Sequence, residues 1–427
     1  MRYRRILAVA ALVFVIVLQP VCRASAHAGT VSVSVHLRQF SSHHSHQMNQ
    51  PVPRQATGTV NVKDFGATGN GSTDDTGAIQ NAIAAAHAGG LGVLFPAGTY
   101  LHASVITANS VPLIGVGGAT TLLANNATST AVILTGVSPS IQNMVVNSAP
   151  ASSGATDTTP THATVLVQSA QNFVVQGITI VQGVGRVGVY LQQSAVGQVA
   201  AVTFNGTGSN QDLGIIVDGC ANTSLLGNLM LNEGTAITLG GFSPFICYSI
   251  AIISNTISNA MAGIILNTLS GGITNILDIE QNQIQLVTTN AAVSPLQVNN
   301  SANNYSITQN TFSGGILGMF VANPANFTGV VAQNTIRNCN QYGAIIATTS
   351  GGGLQFLSNK FGECGIVIGG SAVILAIPQG GPDTMPILNN IYEGHTNLLT
   401  NYIFAIFHLS TVAGNAQTQT ALPNSIP

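Results

Sequence analysis

A short motif that returns at a nearly constant step limits this chain more than any other feature. Asn, any residue, then an aliphatic or aromatic residue recurs as Asn228-Leu229-Met230, Asn255-Thr256-Ile257, Asn282-Gln283-Ile284 and Asn310-Thr311-Phe312. It continues as Asn334-Thr335-Ile336, Asn359-Lys360-Phe361 and Asn390-Ile391-Tyr392. Ile178-Thr179-Ile180 and Val202-Thr203-Phe204 are degenerate copies, and the successive steps are 24, 26, 27, 27, 28, 24, 25 and 31 residues. A Gly or Ala followed by alternating aliphatics keeps the same step, as in Gly188-Val189-Tyr190-Leu191, Gly214-Ile215-Ile216-Val217 and Gly263-Ile264-Ile265-Leu266. Each repeat therefore holds at least two short strands. A crossover connection needs a dozen or more residues, usually a helix, so these steps are too short for ordinary βαβ units. The Leu-dominated frame of leucine-rich repeats is missing. What fits is an all-β coil of three short strands per turn, each strand pairing with its copy ~4.8 Å away in the next turn. The Asn row then reads as structural: a tight turn needs a residue that tolerates the left-handed region, and stacked amides bond to one another.

The cysteines keep this register. Cys220 and Cys247 each lie eight residues before a motif Asn, and Cys339 and Cys364 each lie five after one. Each pair should stack on neighbouring coils, as disulfides or as buried thiols; spacing alone leaves both open.

Composition sets the class. Only 5% of residues are charged, against a usual share of roughly 25%, so the polar surface must come from Asn, Gln, Ser and Thr. Residues 1–26 read as a signal peptide: Arg2, Arg4 and Arg5, an apolar run from Ile6 to Leu18, then Ala24-Ser25-Ala26. That run is shorter than the ~20 residues a membrane span needs, so no membrane anchor is expected and the protein should be secreted, extracellular or periplasmic. Removing it leaves six basic against 12 acidic residues, a net charge of −6. Nucleic acid is disfavoured as a partner, because phosphate contacts need clustered Lys and Arg. Residues 27–58, with His36, His43, His44 and His46, read as a flexible linker in preference to a metal-binding tract. Residues 59–104 form an N-terminal cap segment, 105–395 the coils, and 396–427 a C-terminal cap or tail.

Within the cap segment, Thr76 to Ala88 reads as a short helix, with Asp74 and Asp75 at its start and Gly89-Gly90 at its stop. The string from Val62-Lys63-Asp64-Phe65-Gly66-Ala67 through Gly71-Ser72-Thr73-Asp74-Asp75-Thr76 to Phe95-Pro96-Ala97-Gly98-Thr99-Tyr100 resembles the opening segment of the pectate-lyase-like superfamily, most closely its rhamnogalacturonase/epimerase-like group. The resemblance implies a right-handed parallel β-helix whose substrate lies along one sheet, and an activity on, or binding to, extended polysaccharide. It also implies that Asp74 and Asp75 belong to the cap. The motif strings of family-28 polygalacturonases and the Asp-Pro-His of uronan epimerases are absent from the chain.

One charged cluster follows from the coil register. Arg186 stands two residues before Gly188, Asp212 two before Gly214, and Glu233 three before Ala236, which puts all three on one sheet edge in consecutive coils. Asp218 ends the second of those strands on the outward side. Two carboxylates ~5–10 Å apart serve as acid and nucleophile or as acid and base. Asp212 and Glu233 are the expected pair, with Asp218 in reserve. Arg186, Tyr190, Gln192 and Asn267 are the expected substrate contacts, Arg186 toward a uronate carboxylate. The competing reading is that the acids are turn residues on a solvated edge. Asp278 and Glu280 alternate on one strand and read as a solvated face, being too few to hold calcium alone. No metal or cofactor is expected; calcium enters only if the chain is a lyase. The functional expectation is hydrolysis of a uronic-acid-containing, pectin-like polysaccharide by the carboxylate pair. The alternatives are a non-catalytic glycan-binding or structural β-helix, and a polysaccharide lyase. The sequence leaves the oligomeric state open.

Overall fold

The computed structural model describes residues 58–126, 129–149, 162–240, 246–266, 277–287, 293–299, 304–323, 328–340, 342–349, 353–362, 364, 374–379, 387–393, 403–405, 412–413 and 416–418. Residues 1–26, nearly all of the expected linker and Asn267 lie outside them.

The chain winds as a right-handed parallel β-helix with three strand rows. Every described strand pairing is parallel and joins a strand to its copy one coil later. The first row includes Ala195–Ala200, Ala221–Leu226 and Tyr248–Ile253; the second, Val187–Gln192, Leu213–Asp218 and Thr235–Leu239; the third, Thr203–Asn205, Leu229–Leu231 and Thr256–Ala260. Alternate side chains of each row point inward and stack by type. Val165, Val189, Ile215, Ile237 and Ile264 are register neighbours, as are Ile180, Phe204, Met230, Ile257 and Ile284. All of them are buried in one continuous core. Strands Ile403–Ala405, Val412–Ala413 and Ala416–Thr418 pair with the preceding coil, so coil structure runs beyond residue 395, where the sequence pattern fades.

The turn from the first row to the third explains the motif. The residue before each motif Asn takes the left-handed conformation: Gly227 (φ 58), Ser254 (φ 55), Gln281 (φ 56), Gln309 (φ 58), Gln333 (φ 58), Ser358 (φ 55) and Asn389 (φ 57). The strained position is thus one residue earlier than the sequence suggested, and the Asn itself supplies hydrogen bonds. Asn282 Oδ1 accepts from Asn255 N and Nδ2, both at 2.9 Å. Its Nδ2 donates to Ile252 O (2.8 Å) and Asn310 Oδ1 (2.9 Å). The same pattern links Asn228 through Asn359 in one buried ladder that ends on Asn390.

Helix α1, Thr76–Gly89, packs its Ile79, Ala82, Ile83 and Ala86 face on the first strands of the coil. Gly90 ends it in the left-handed conformation (φ 63). Of the two acids before it, Asp74 bonds the helix start as expected and Asp75 does not. Asp74 Oδ1 accepts from Thr76 N and Oγ1. Asp75 makes no cap bond to the helix; it is buried and accepts from Thr68 N (2.7 Å), Thr68 Oγ1 (3.1 Å) and Gly69 N (3.0 Å), which fastens the preceding loop.

Candidate functional site

Consecutive coils bring the expected edge together. Leu213 N donates to Arg186 O (3.2 Å) and Thr235 N to Asp212 O (3.0 Å), so these residues sit directly before neighbouring second-row strands, with Glu233 two residues before the third. Their surroundings are not those of an open edge. Arg186 is 2% exposed, Asp212 0% and Glu233 1%. Both expected settings, a substrate groove and a solvated rim, are therefore corrected by burial.

Asp212 is a clasp. Its Oδ1 accepts from Gly185 N (2.9 Å), and its Oδ2 accepts from Thr207 N (2.7 Å) and Thr207 Oγ1 (2.6 Å). Short charge-assisted bonds of this kind fix a carboxylate's geometry. They tie the turn before one strand to the loop that precedes the next. Arg186 also joins two turns, because its Nη2 donates to Ser129 O (2.5 Å) in an earlier coil. Burial pulls the guanidinium down from its ordinary pKa. It is not presented to a uronate.

Glu233 differs from both. Neither of its oxygens has a hydrogen-bond partner among the described residues. A Cβ on Gly206 would lie 3.0 Å from Glu233 Cδ, so this loop passes directly over the carboxyl. Burial, and then the Asp212 charge, push Glu233 well above the usual carboxylate range, while the Gln182 side chain opposes the shift. Gln182 Nε2 is used by Arg186 O and Leu213 O, both at 3.0 Å, and its Oε1 lacks a partner.

The second polar group lies on the outward side of the second row. Leu166, Tyr190 and Ile216 are register neighbours there and, with Ala163 and Val187, form an apolar cluster separate from the central core. Tyr190 is 1% exposed, and its hydroxyl donates to Asp218 Oδ2 one coil on (3.1 Å). Burial, with Asp218 next in weight, drives the Tyr190 phenol far upward. Asp218 points outward by strand alternation, as expected, yet it is fully buried. Gln192 is its register partner, and Gln168 Nε2 donates to Gln192 Oε1 (2.8 Å) at the surface. The polar row is therefore Gln168, Gln192 and Asp218, with Tyr190 locking the last. Gln168 was missed in the sequence although it stands one 24-residue step before Gln192; no motif marked it. Gln182 carried no signal at all, because its role depends on a loop closing over Glu233. Among the described residues, no three His, Cys, Asp or Glu side chains gather in a form that holds a metal ion.

The family model for rhamnogalacturonase A/epimerase, pectate lyase-like proteins matches residues 59–285, more than half of the chain. The chain belongs to this family. Among curated relatives of this pectate-lyase-like protein, mannuronan C5-epimerase AlgE3 of Azotobacter vinelandii is 66% identical over 41 residues, 9% of this chain and 2% of that protein. Alginate lyase 7 of the same organism is 46% identical over 72 residues, 15% of this chain and 8% of that protein. The chain thus matches only a small part of either relative's length. Among solved structures, the Streptococcus pneumoniae surface protein and adhesin PfbA superposes with a TM-score of 0.52 at 16% identity, over 84% of this chain and 100% of that one. A tailspike protein of bacteriophage CBA120 gives 0.53 at 14% identity, over 86% and 60%. At these identities the pectate-lyase-like likeness is one of fold.

Proposed function

We propose that this protein, exported from the cytoplasm, binds an extended and largely uncharged polysaccharide across the exposed Gln168–Gln192 end of the second strand row, without cleaving it. The supporting observation is the burial of Arg186, Asp212, Asp218 and Glu233. A glycosidase needs two carboxyl groups facing the scissile bond. Here Asp212 has both oxygens engaged by turn donors, Asp218 is held by Tyr190, and Glu233 lies under a loop. A uronate polymer needs exposed cations, and Arg186, the cation of this edge, is inside. Gln168 and Gln192 provide amide donors and acceptors at the surface end of neighbouring strands, groups suited to sugar hydroxyls.

Affinity electrophoresis on galactan, glucomannan, polygalacturonate and alginate gels tests this. Retardation is expected in neutral gels, is undiminished by high salt, and weakens in Gln192→Ala. Retardation only by the acidic polymers, lost at high salt, overturns the uncharged substrate. New reducing ends or ultraviolet absorbance of unsaturated uronates on any polymer overturn the binding-only role. New reducing ends without that absorbance would favour hydrolysis with Glu233 as acid, and the absorbance itself would favour a lyase. One carboxyl pushed well above its usual range by burial, beside another that accepts three hydrogen bonds, is the asymmetry such chemistry uses.

A further inference from the structure

The four cysteines of the described coils stand in two stacked pairs, and the pairs are built differently. Cys339 lies two residues beyond Arg337 and Cys364 two beyond Gly362, and Arg337 and Gly362 are register partners in adjacent coils. Neighbouring strands are ~4.8 Å apart, which falls inside the roughly 4.4–6.8 Å between Cα atoms that a disulfide spans. Both side chains enter the core, Cys339 at 0% and Cys364 at 3% exposure. Their Sγ atoms are 2.7 Å apart. Carbon atoms, which are smaller than sulfur, rest in contact at roughly 3.5–4.0 Å. Two unbonded thiols do not fit side by side in that space.

The other pair has the same backbone relation and a different outcome. Tyr248 N donates to Cys220 O (2.9 Å), which seats Cys247 beside Cys220 in the next coil. The thiols of both pairs contact carbonyls, Cys339 at Arg337 O (3.5 Å) and Cys364 at Gly362 O (3.6 Å), Cys220 at Asp218 O and Cys247 at Val217 O (both 3.7 Å), but no hydrogen bond joins the sulfurs of Cys220 and Cys247. Burial pushes the Cys220 thiol up to about 12. Burial pushes the Cys339 thiol up as well, so ionisation does not separate the two pairs; the contact between sulfurs does.

We propose that Cys339 and Cys364 form an intrachain disulfide that bolts two successive coils together, while Cys220 and Cys247 remain thiols. The oxidant is a disulfide of the glutathione class or a protein thiol–disulfide oxidoreductase. One cysteine thiolate attacks the donor disulfide, expelling one donor thiol and leaving a mixed disulfide. The second cysteine attacks that bond, expels the other donor thiol and closes the bridge. Two cysteine thiols and one donor disulfide become one protein disulfide and two donor thiols, so electrons and protons balance. Both sulfurs are buried in the finished coil, so the exchange precedes final packing.

The test is thiol mapping on the full chain folded with oxidised glutathione and no reductant. The protein is denatured, alkylated with iodoacetamide, digested and analysed by mass. Cys220 and Cys247 are expected to carry the alkyl group, and the peptides holding Cys339 and Cys364 to run as one linked species that separates only after reduction. Alkylation of Cys339 and Cys364 without reductant overturns the proposal, and so does a Cys220–Cys247 link.

Discussion

Glu233 is the residue whose surroundings cost most and reveal most. A carboxyl buried without hydrogen-bond partners is expensive to charge inside the fold, so its pKa rises. The stability consequence has a definite sign. In the unfolded chain Glu233 ionises near its usual 4.5; in the folded chain its pKa lies well above that. Below about pH 4.5 both states hold the proton, and Glu233 is neutral to stability. As pH rises, the unfolded state loses its proton first, and folding weakens by up to about 1.4 kcal/mol per pH unit until the folded pKa is passed. Glu233→Gln keeps the shape of the protonated acid and removes this penalty. The urea midpoint of Glu233→Gln should match the native protein in acid and exceed it at neutral pH. A gap between the two that is the same at both pH values would show that the Glu233 pKa is not raised. The sequence placed Arg186, Asp212 and Glu233 on one edge correctly, because register arithmetic decides which residues are neighbours. It could not show that Thr207 and Gly206 fold over that edge, because loop closure depends on hydrogen bonds from Gly185 and Thr207 that have no spacing of their own.

At the scale of one turn, two devices let coils stack at strand spacing. The glycines of the second repeat pattern mark close approach: a Cβ on Gly188 would come within 2.7 Å of Gly214 O, and one on Gly214 would strike Ala236 O. The Asn ladder supplies what a tight turn otherwise lacks, partners for buried amides. Both were legible because the geometry repeats, so the residue that satisfies it repeats too. Asn282→Ala deletes four hydrogen bonds and strips the buried Asn255 N–H of its acceptor. Leaving buried donors unmet costs about 1–3 kcal/mol each, so chemical denaturation should show a loss of about 3 kcal/mol. Gln168→Ala, which breaks a surface amide contact to Gln192, should cost under about 1 kcal/mol. Comparable losses at both sites would mean that the ladder is ornament to the stack and not its support.

A stack of parallel strands has ends, and the end that receives the first coil must be closed. Unpaired strand edges present donors and acceptors to any other strand they meet. Helix α1 answers this at the N-terminal side. Ile79, Ala82, Ile83 and Ala86 lie against the first coil strands Thr59–Asn61, Gly92–Leu94 and Ile106–Asn109. Gln80 Nε2 donates to Val105 O (3.3 Å) and His87 Nδ1 contacts Asn109 O (2.9 Å), holding the helix across the opening. Ile79 is 0% exposed. Ile79→Asp puts a charge where no partner waits, and lifting the helix is the cheapest escape, since the coils below bond to one another and not through it. The expected result is a protein with nearly native circular dichroism that elutes from size exclusion as dimers and larger species, through pairing of the uncovered edges. Ile79→Val, which trims the contact without charging it, should stay with the native elution profile. If Ile79→Asp also keeps that profile and its stability, the helix does not guard the edge, and whatever keeps these stacks from joining end to end must reside in the strands themselves.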